Sequence, residues 1–269
     1  MSINNNPLQL YKLLPGDNCR QCYLPSCMAF AAAVIAGAKR LTACPRLEPE
    51  VLARLEAEFC PRRSLADEQA DRIGELREQV AKLDFAVLAP RLGAVLRGES
   101  LVISCLGKDF IIDPAGRLSS ECHVNPWVQL PLLRYLLVCQ GAAERGEWLP
   151  MAELAQGAAV APLFAKRCEE PLRRLAEQYG EDFFELLAMF GAVAAAGEPG
   201  GERVFIFRPL PRVPFRLAYH PPEEGLDSSL RITFDRSAEQ NATPEMLHFL
   251  ASGLAEMCEK ILQRLRHCG

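Results

Sequence analysis

Four cysteines near the N-terminus, Cys19, Cys22, Cys27 and Cys44, follow the spacing C-x2-C-x4-C-x16-C. Three thiols crowd into nine residues, and the fourth arrives one expected helix later, directly before Pro45. Four convergent thiolates are what a cubane iron–sulfur cluster needs, because each iron takes three bridging sulfides and one protein sulfur. Zinc is the chemical competitor, but structural zinc sites usually present two separated C-x2-4-C knuckles. A three-plus-one grouping with an x4 interval is closer to a cluster loop. Four unligated core cysteines are the third alternative. The spacing therefore leads to an expected [4Fe-4S] cluster, with Cys19, Cys22, Cys27 and Cys44 as the cofactor-binding and metal-ligating residues.

Length and composition bound the rest. With 269 residues, 49% of them apolar and 24% charged, the chain can bury one large core and carry a small module besides. With a net charge of −4, a broad electropositive face for nucleic acid is not expected. The charge is uneven: residues 1–63 hold eight Lys/Arg against five Asp/Glu, a net of +3, which leaves −7 for the remainder. Met1 to Leu10 has no cationic segment followed by an apolar run, so no secretory signal is expected. The richest apolar stretch, Met28 to Ala38, is too short to span a bilayer. No signal and eleven cysteines together point to a reducing cytoplasm, where thiols bind metal or pack as small hydrophobes.

The expected fold class is α+β. A loop over Leu14–Ser26 precedes an Ala-rich helix over roughly Cys27–Arg40, started by Pro25-Ser26 and ending near Gly37. Leu52, Leu55 and Phe59 mark a short helix, and Ala70, Ile73, Leu76, Val80 and Leu83 a longer one. Leu101–Ile103 and Phe110–Ile112 read as an antiparallel hairpin around Gly107-Lys108. Asn125-Pro126 opens a helix to about Cys139. Further helices fall near 161–178, which Pro171 restarts, and 181–191, with a tight loop at Glu198–Gly201. Three more strands cover Val204–Phe207, Phe215–Tyr219 and Leu230–Phe234, and the prolines at 209, 211, 214, 221 and 222 confine them to short or edge positions. A last helix from Thr243-Pro244 carries Leu247, Leu250, Leu254, Met257, Ile261 and Leu265 on one face. The domains expected are a cluster module over 1–63, a helical connector over 64–92 and a mainly antiparallel α+β domain over 93–269.

The stretch Leu14-Pro15-Gly16-Asp17-Asn18-Cys19-Arg20-Gln21-Cys22-Tyr23-Leu24-Pro25-Ser26-Cys27, closing with Cys44-Pro45, resembles the [4Fe-4S] module of the corrinoid iron–sulfur protein large subunit. The same module occurs in the B subunit of the Rnf electron-transport complex and in activators of corrinoid enzymes. The resemblance covers about residues 12–47 and implies a low-potential electron-transfer site in an anaerobe. Tyr23 departs from it, since relatives often have glycine after the second cysteine, and its side chain would crowd or shield one edge of the cluster. Leu106–Phe110, Leu210–Pro214 and Thr233–Ala238 resemble an uncharacterised domain family of anaerobic prokaryotes, over roughly 93–265. That second resemblance supplies no activity.

Other candidates weigh less. Cys122-His123 pairs two ligand types, but adjacent residues rarely chelate one ion and no partner spacing is visible. Cys139, Cys168 and Cys258 lie in apolar helical stretches and read as core. Cys60, before Pro61, is a possible spare thiol near the cluster. His220 beside Pro221-Pro222-Glu223-Glu224 reads as an exposed loop, and His248 and His267 as solvated helix positions. No phosphate loop, HExxH or GxSxG is present, Asp235-Arg236-Ser237 lacks a histidine at triad spacing, and no catalytic residue is expected. The expected function is single-electron transfer to or from a partner protein or bound cofactor. The alternatives are an accessory or activator protein of corrinoid and C1 metabolism whose second domain binds a cofactor, and a metal-stapled binding module without redox chemistry.

Overall fold

The computed structural model describes residues 6–58, 65–121, 124–195, 201–223 and 225–268. The chain divides into two compact units, up to Arg72 and from Ile73 onward. The α+β class expected from the sequence is the one observed, with two antiparallel sheets and packed helices.

In the N-terminal unit, α1 (Pro7–Tyr11) starts on Asn6, whose side chain accepts from the Leu8 N–H at 2.9 Å. The Ser26 hydroxyl caps α2 (Cys27–Ile35) by accepting from the Ala29 N–H at 3.1 Å. This helix is shorter than the alanine run suggests. Gly37 takes a left-handed conformation (φ +74°), and the N–H groups of Gly37 and Ala38 close back on the carbonyls of Val34 and Ala33. That paired closure ends the helix whatever the propensity of the residues beyond it. A 3-10 turn, Leu41–Ala43, returns the chain to Cys44-Pro45 before α3 (Pro49–Glu58). Leu10, Leu14, Phe30, Ala31, Val34, Leu41 and Leu55 form the unit's own apolar core. Phe59, expected on the α3 stripe, lies outside the described residues.

The second unit is built on two sheets. Ile73 and Val80 of α4 (Leu65–Val80) and the buried face of α5 (Phe85–Leu92) belong to its core. The first sheet runs β1 (Val95–Arg97), β2 (Ser100–Cys105), β3 (Lys108–Ile112), β4 (Leu118–Ser119) in chain order. Alternation sends Leu101, Ile103, Cys105, Phe110 and Ile112 into the core. The β2–β3 turn is Leu106-Gly107, both with positive φ (+49° and +73°), the signature of a two-residue hairpin turn. α6 (Pro126–Val138) follows, with the Asn125 side chain accepting from the Val128 N–H at 3.2 Å as the Asn-Pro pair predicts.

The second sheet has the order β5 (Trp148–Pro150), β9 (Ser229–Asp235), β8 (Val213–His220), β7 (Arg203–Leu210), β6 (Val193–Ala195). Here the proline argument fails. β7 and β8 are eight residues each, and β8 and β9 are interior strands. Pro209 and Pro214 fall in the irregular register between the pairs Phe207–Phe215 and Leu210–Val213, where the ladder requires no donor from them. The sequence reading also misses β1, β4, β5 and β6, each two or three residues long and too short to show a period.

Residues 161–179 form one helical run with a five-residue π turn inside it: α7 (Ala161–Phe164), the π turn Ala165–Glu169, then α8 (Glu170–Tyr179) with Pro171 in its first turn. α9 (Glu181–Met189) follows, and after β9 come α10 (Ala238–Asn241) and α11 (Pro244–Cys268). On α11 Leu247, Leu250 and Leu254 are buried as expected. Leu265 is exposed, and Ala251, Cys258 and Leu262 complete the inward face instead. Among the described residues no helix is long and apolar enough to cross a membrane.

Candidate functional site

The cysteine loop is held by polar contacts at both ends. The Asn18 side chain accepts from the Cys27 N–H at 2.8 Å, which ties the start of the loop to the first residue of α2. Asp17 pairs with Arg46, next to Cys44-Pro45, and lies 3.9 Å from the Cys27 thiol. The guanidinium of Arg46 is the main cause holding the Asp17 carboxyl below its ordinary range. Asp17 in turn raises the pKa of Arg46, with smaller contributions from Cys19 and Cys44. Asn18, Arg20 and Tyr23 all take left-handed φ values, +49°, +61° and +62°. For a residue with a Cβ that conformation costs roughly 1 kcal/mol, so the loop concentrates strain.

The four thiols differ in burial. Cys22 and Cys27 are buried and belong to the unit's apolar core, while Cys19 and Cys44 are half-buried. Among the described residues no group of three or more His, Cys, Asp or Glu is placed to hold a metal ion. The expectation of a [4Fe-4S] cluster on Cys19, Cys22, Cys27 and Cys44 is corrected on this point. With it go the iron–sulfur assignment, single-electron transfer as the function, and the cluster module as the meaning of the resemblance. Cys22 and Cys27 are packed in the apolar core and Cys44 against it, while Arg46, near Cys19 and Cys44, is already paired with Asp17. Tyr23, expected to crowd or shield a cluster, is 92% exposed.

The secondary candidates resolve into structure. Cys139, Cys168 and Cys258 are buried, and so is Cys105, which the sequence reading overlooked inside β2. Burial pushes the thiols of Cys105, Cys168 and Cys258 up to about 12, leaving them neutral and unreactive. His248 is not solvated as expected. Its Nδ1 lies 3.6 Å from the Cys168 sulfur, its ring stands edge-on to Phe164, and burial lowers its pKa. The two residues are 80 positions apart, so no local signal could have joined them. His220 ends β8 and pairs through Nε2 with Glu202 at 3.0 Å. Asp235 is buried and accepts from the backbone N–H groups of Arg145, Gly146 and Ser237, so it fastens a loop and serves no triad. Cys60, Cys122-His123 and the side chain of His267 lie outside the described residues.

The outer face of the first sheet carries an open cleft of about 600 Å3. Its floor is the cross-strand pair Val102–Ile111, and Arg97, Lys108, Asp109, Ser119 and Glu121 surround it. The same register that sends Leu101 and Ile112 inward turns Val102 and Ile111 outward. The sequence reading passed over Arg97 because the three-residue β1 could not be seen. Apolar floor and mixed-charge rim suit a flat organic ligand with polar substituents.

Residues 84–257 match the family model described as "Domain of unknown function (DUF3786)", well over half of the chain. The chain belongs to the DUF3786 family. Residues 14–46 match a second model, described as "Putative Fe-S cluster". The N-terminal region is also similar to gamma subunits of acetyl-CoA decarbonylase/synthase complexes. Gamma 1 and gamma 2 of Methanosarcina mazei are each 48% identical over 46 residues, 17% of this chain and 10% of theirs. Gamma 2 of Methanosarcina thermophila is 42% identical over 62 residues, 21% of this chain and 13% of its own. The chain thus spans about a tenth of the length of the curated relatives it matches. No solved structure matches. The similarity reaches the cysteine spacing, whereas the geometry above does not bring the four thiols together.

Proposed function

We propose that the DUF3786 chain is an accessory or activator protein of corrinoid and C1 metabolism, acting in the cytoplasm. Its N-terminal unit serves as a docking module, and its second unit binds a cofactor or ligand of that chemistry. The observation that carries the reading is the 46-residue similarity to gamma subunits of acetyl-CoA decarbonylase/synthase complexes, at 48% identity. A segment shared at that level supports a shared contact. The cleft over Val102 and Ile111 supports the second half of the reading, because its apolar floor would take a ring face and its charged rim the polar substituents.

The test is anaerobic affinity purification of the tagged chain from its source organism. Subunits of a corrinoid or C1 enzyme, identified by mass spectrometry, are the expected companions. Recovery of the chain alone, or only with proteins of unrelated chemistry, would overturn the reading. Titration with hydroxocobalamin, followed by its visible absorbance, addresses the cleft directly, and Arg97→Glu should weaken any binding seen.

A further inference from the structure

Ten large apolar or aromatic side chains stand exposed among the described residues, and Tyr23 is the one aromatic among them and the most exposed, at 92%. It sits where the backbone is left-handed, φ +62°, a conformation that favours glycine. Glycine would take this conformation without the cost that a side chain brings. The Tyr23 N–H donates to the Arg20 carbonyl at 2.9 Å, which closes a tight turn with exposed Arg20 at its other end. The turn is framed by buried Cys22 and Cys27 and by the Ser26 cap, so the phenol is presented from a fixed base. The segment that carries it is cationic: residues 14–46 contain Arg20, Lys39, Arg40 and Arg46 against Asp17 alone, which Arg46 already neutralises, in a chain of net charge −4.

We propose that Tyr23, with Arg20 beside it, is the anchor by which the N-terminal unit docks on an acidic surface of a partner protein, the ring entering an apolar pocket rimmed by carboxylates. Tyrosine and arginine are enriched among the residues that dominate interface energetics, and tyrosine buries a large area at low entropic cost. Opposite charge on the partner speeds the encounter and sets its orientation. The proposal rests on the accessory reading for the identity of the partner, but not for the existence of the surface.

The experiment places the photo-crosslinking residue p-benzoylphenylalanine at position 23 of the full chain in its source organism, with the same residue at exposed Leu265 as control. One protein should be captured at 23 and not at 265, through a peptide rich in Asp and Glu. Adding Arg20→Glu should lower its capture at least tenfold. No adduct at 23, the same adducts as at 265, or a captured peptide without acidic residues would each overturn the proposal. A structural role for the ring is separated by Tyr23→Gly. Relief of the left-handed strain should raise amide-exchange protection around 18–30, while affinity for the captured protein falls; a loss of protection would mean the ring serves the fold. If the captured protein has no part in corrinoid or C1 chemistry, the accessory reading falls and the docking surface stands. If affinity purification recovers such an enzyme but position 23 captures nothing, the reverse holds.

Discussion

The hydroxyl of Tyr135 donates to the carbonyl oxygen of Leu92 across 2.9 Å, and the Tyr135 phenol oxygen itself accepts from the Arg212 N–H at 3.1 Å. One fully buried side chain on α6 thereby satisfies the end of α5 and the turn between β7 and β8. Tyr135→Phe keeps the ring but leaves both backbone groups unpaired, which should cost about 1–3 kcal/mol. Urea unfolding followed by tryptophan fluorescence measures this in the second unit alone, because Trp127 and Trp148 both lie there.

Thiol accessibility tests the division of the cysteines. Cys19 and Cys44 are half-buried, whereas Cys22, Cys27, Cys105, Cys139, Cys168 and Cys258 are buried. Brief iodoacetamide treatment of native protein, read by peptide mass spectrometry, should label Cys19 and Cys44 first and leave Cys105, Cys168 and Cys258 for denatured protein. Equal labelling of all of them would contradict the arrangement.

Asp235 gives an acid limb to stability. Burial alone would raise its pKa, but the backbone hydrogen bonds from Ser237, Arg145 and Gly146 help to outweigh it, and the carboxyl ends below its ordinary 3.8. A depressed carboxyl contributes stability above about 3.8 that is lost as pH falls through the folded value. Asp235→Asn should therefore destabilise the second unit at pH 7 by roughly 1–3 kcal/mol. The gap between variant and parent should narrow as the pH drops below 3.8.

Glu169 carries the opposite sign. Burial, its largest cause, lifts this carboxyl above the ordinary 4.5, although Oε1 accepts from the Ile232 N–H at 2.9 Å. A raised pKa means that the group favours the folded state fully below 4.5 and loses that contribution as pH rises through the folded value. Glu169→Gln should raise the unfolding midpoint at pH 7, and the gain should vanish near pH 4. A lowered midpoint at pH 7 would show that the pair with Arg231 outweighs the burial cost.

What could be read from the sequence follows the length over which a pattern repeats. The Asn125-Pro126 start of α6, the paired apolar runs of β2 and β3 around Gly107-Lys108 and the long apolar stripe of α11 each declare themselves. β1 and β5 do not, and with β1 went Arg97 and the cleft it borders. The prolines near 209–214 misled because the sequence cannot reveal that they share one irregular stretch of ladder. At the N-terminus, spacing marked which residues matter locally but not where their side chains go. Leu14, Phe30 and Leu47 compete for the same interior, and Cys22 and Cys27 join them there.

The π turn at Ala165–Glu169 has a consequence for how this chain can vary. Cys168 within it, and Leu172, Leu175 and Ala176 downstream of it, all face inward. Removing a single residue from the turn would let an unbroken α-helix form, yet it would rotate everything after it by about 100°. Leu172 and Leu175 would then swing toward solvent, and Arg173 toward the interior. A length change that leaves local propensity untouched would thus scramble the contacts beneath α8, and relatives that fold alike should tolerate substitutions here far better than deletions.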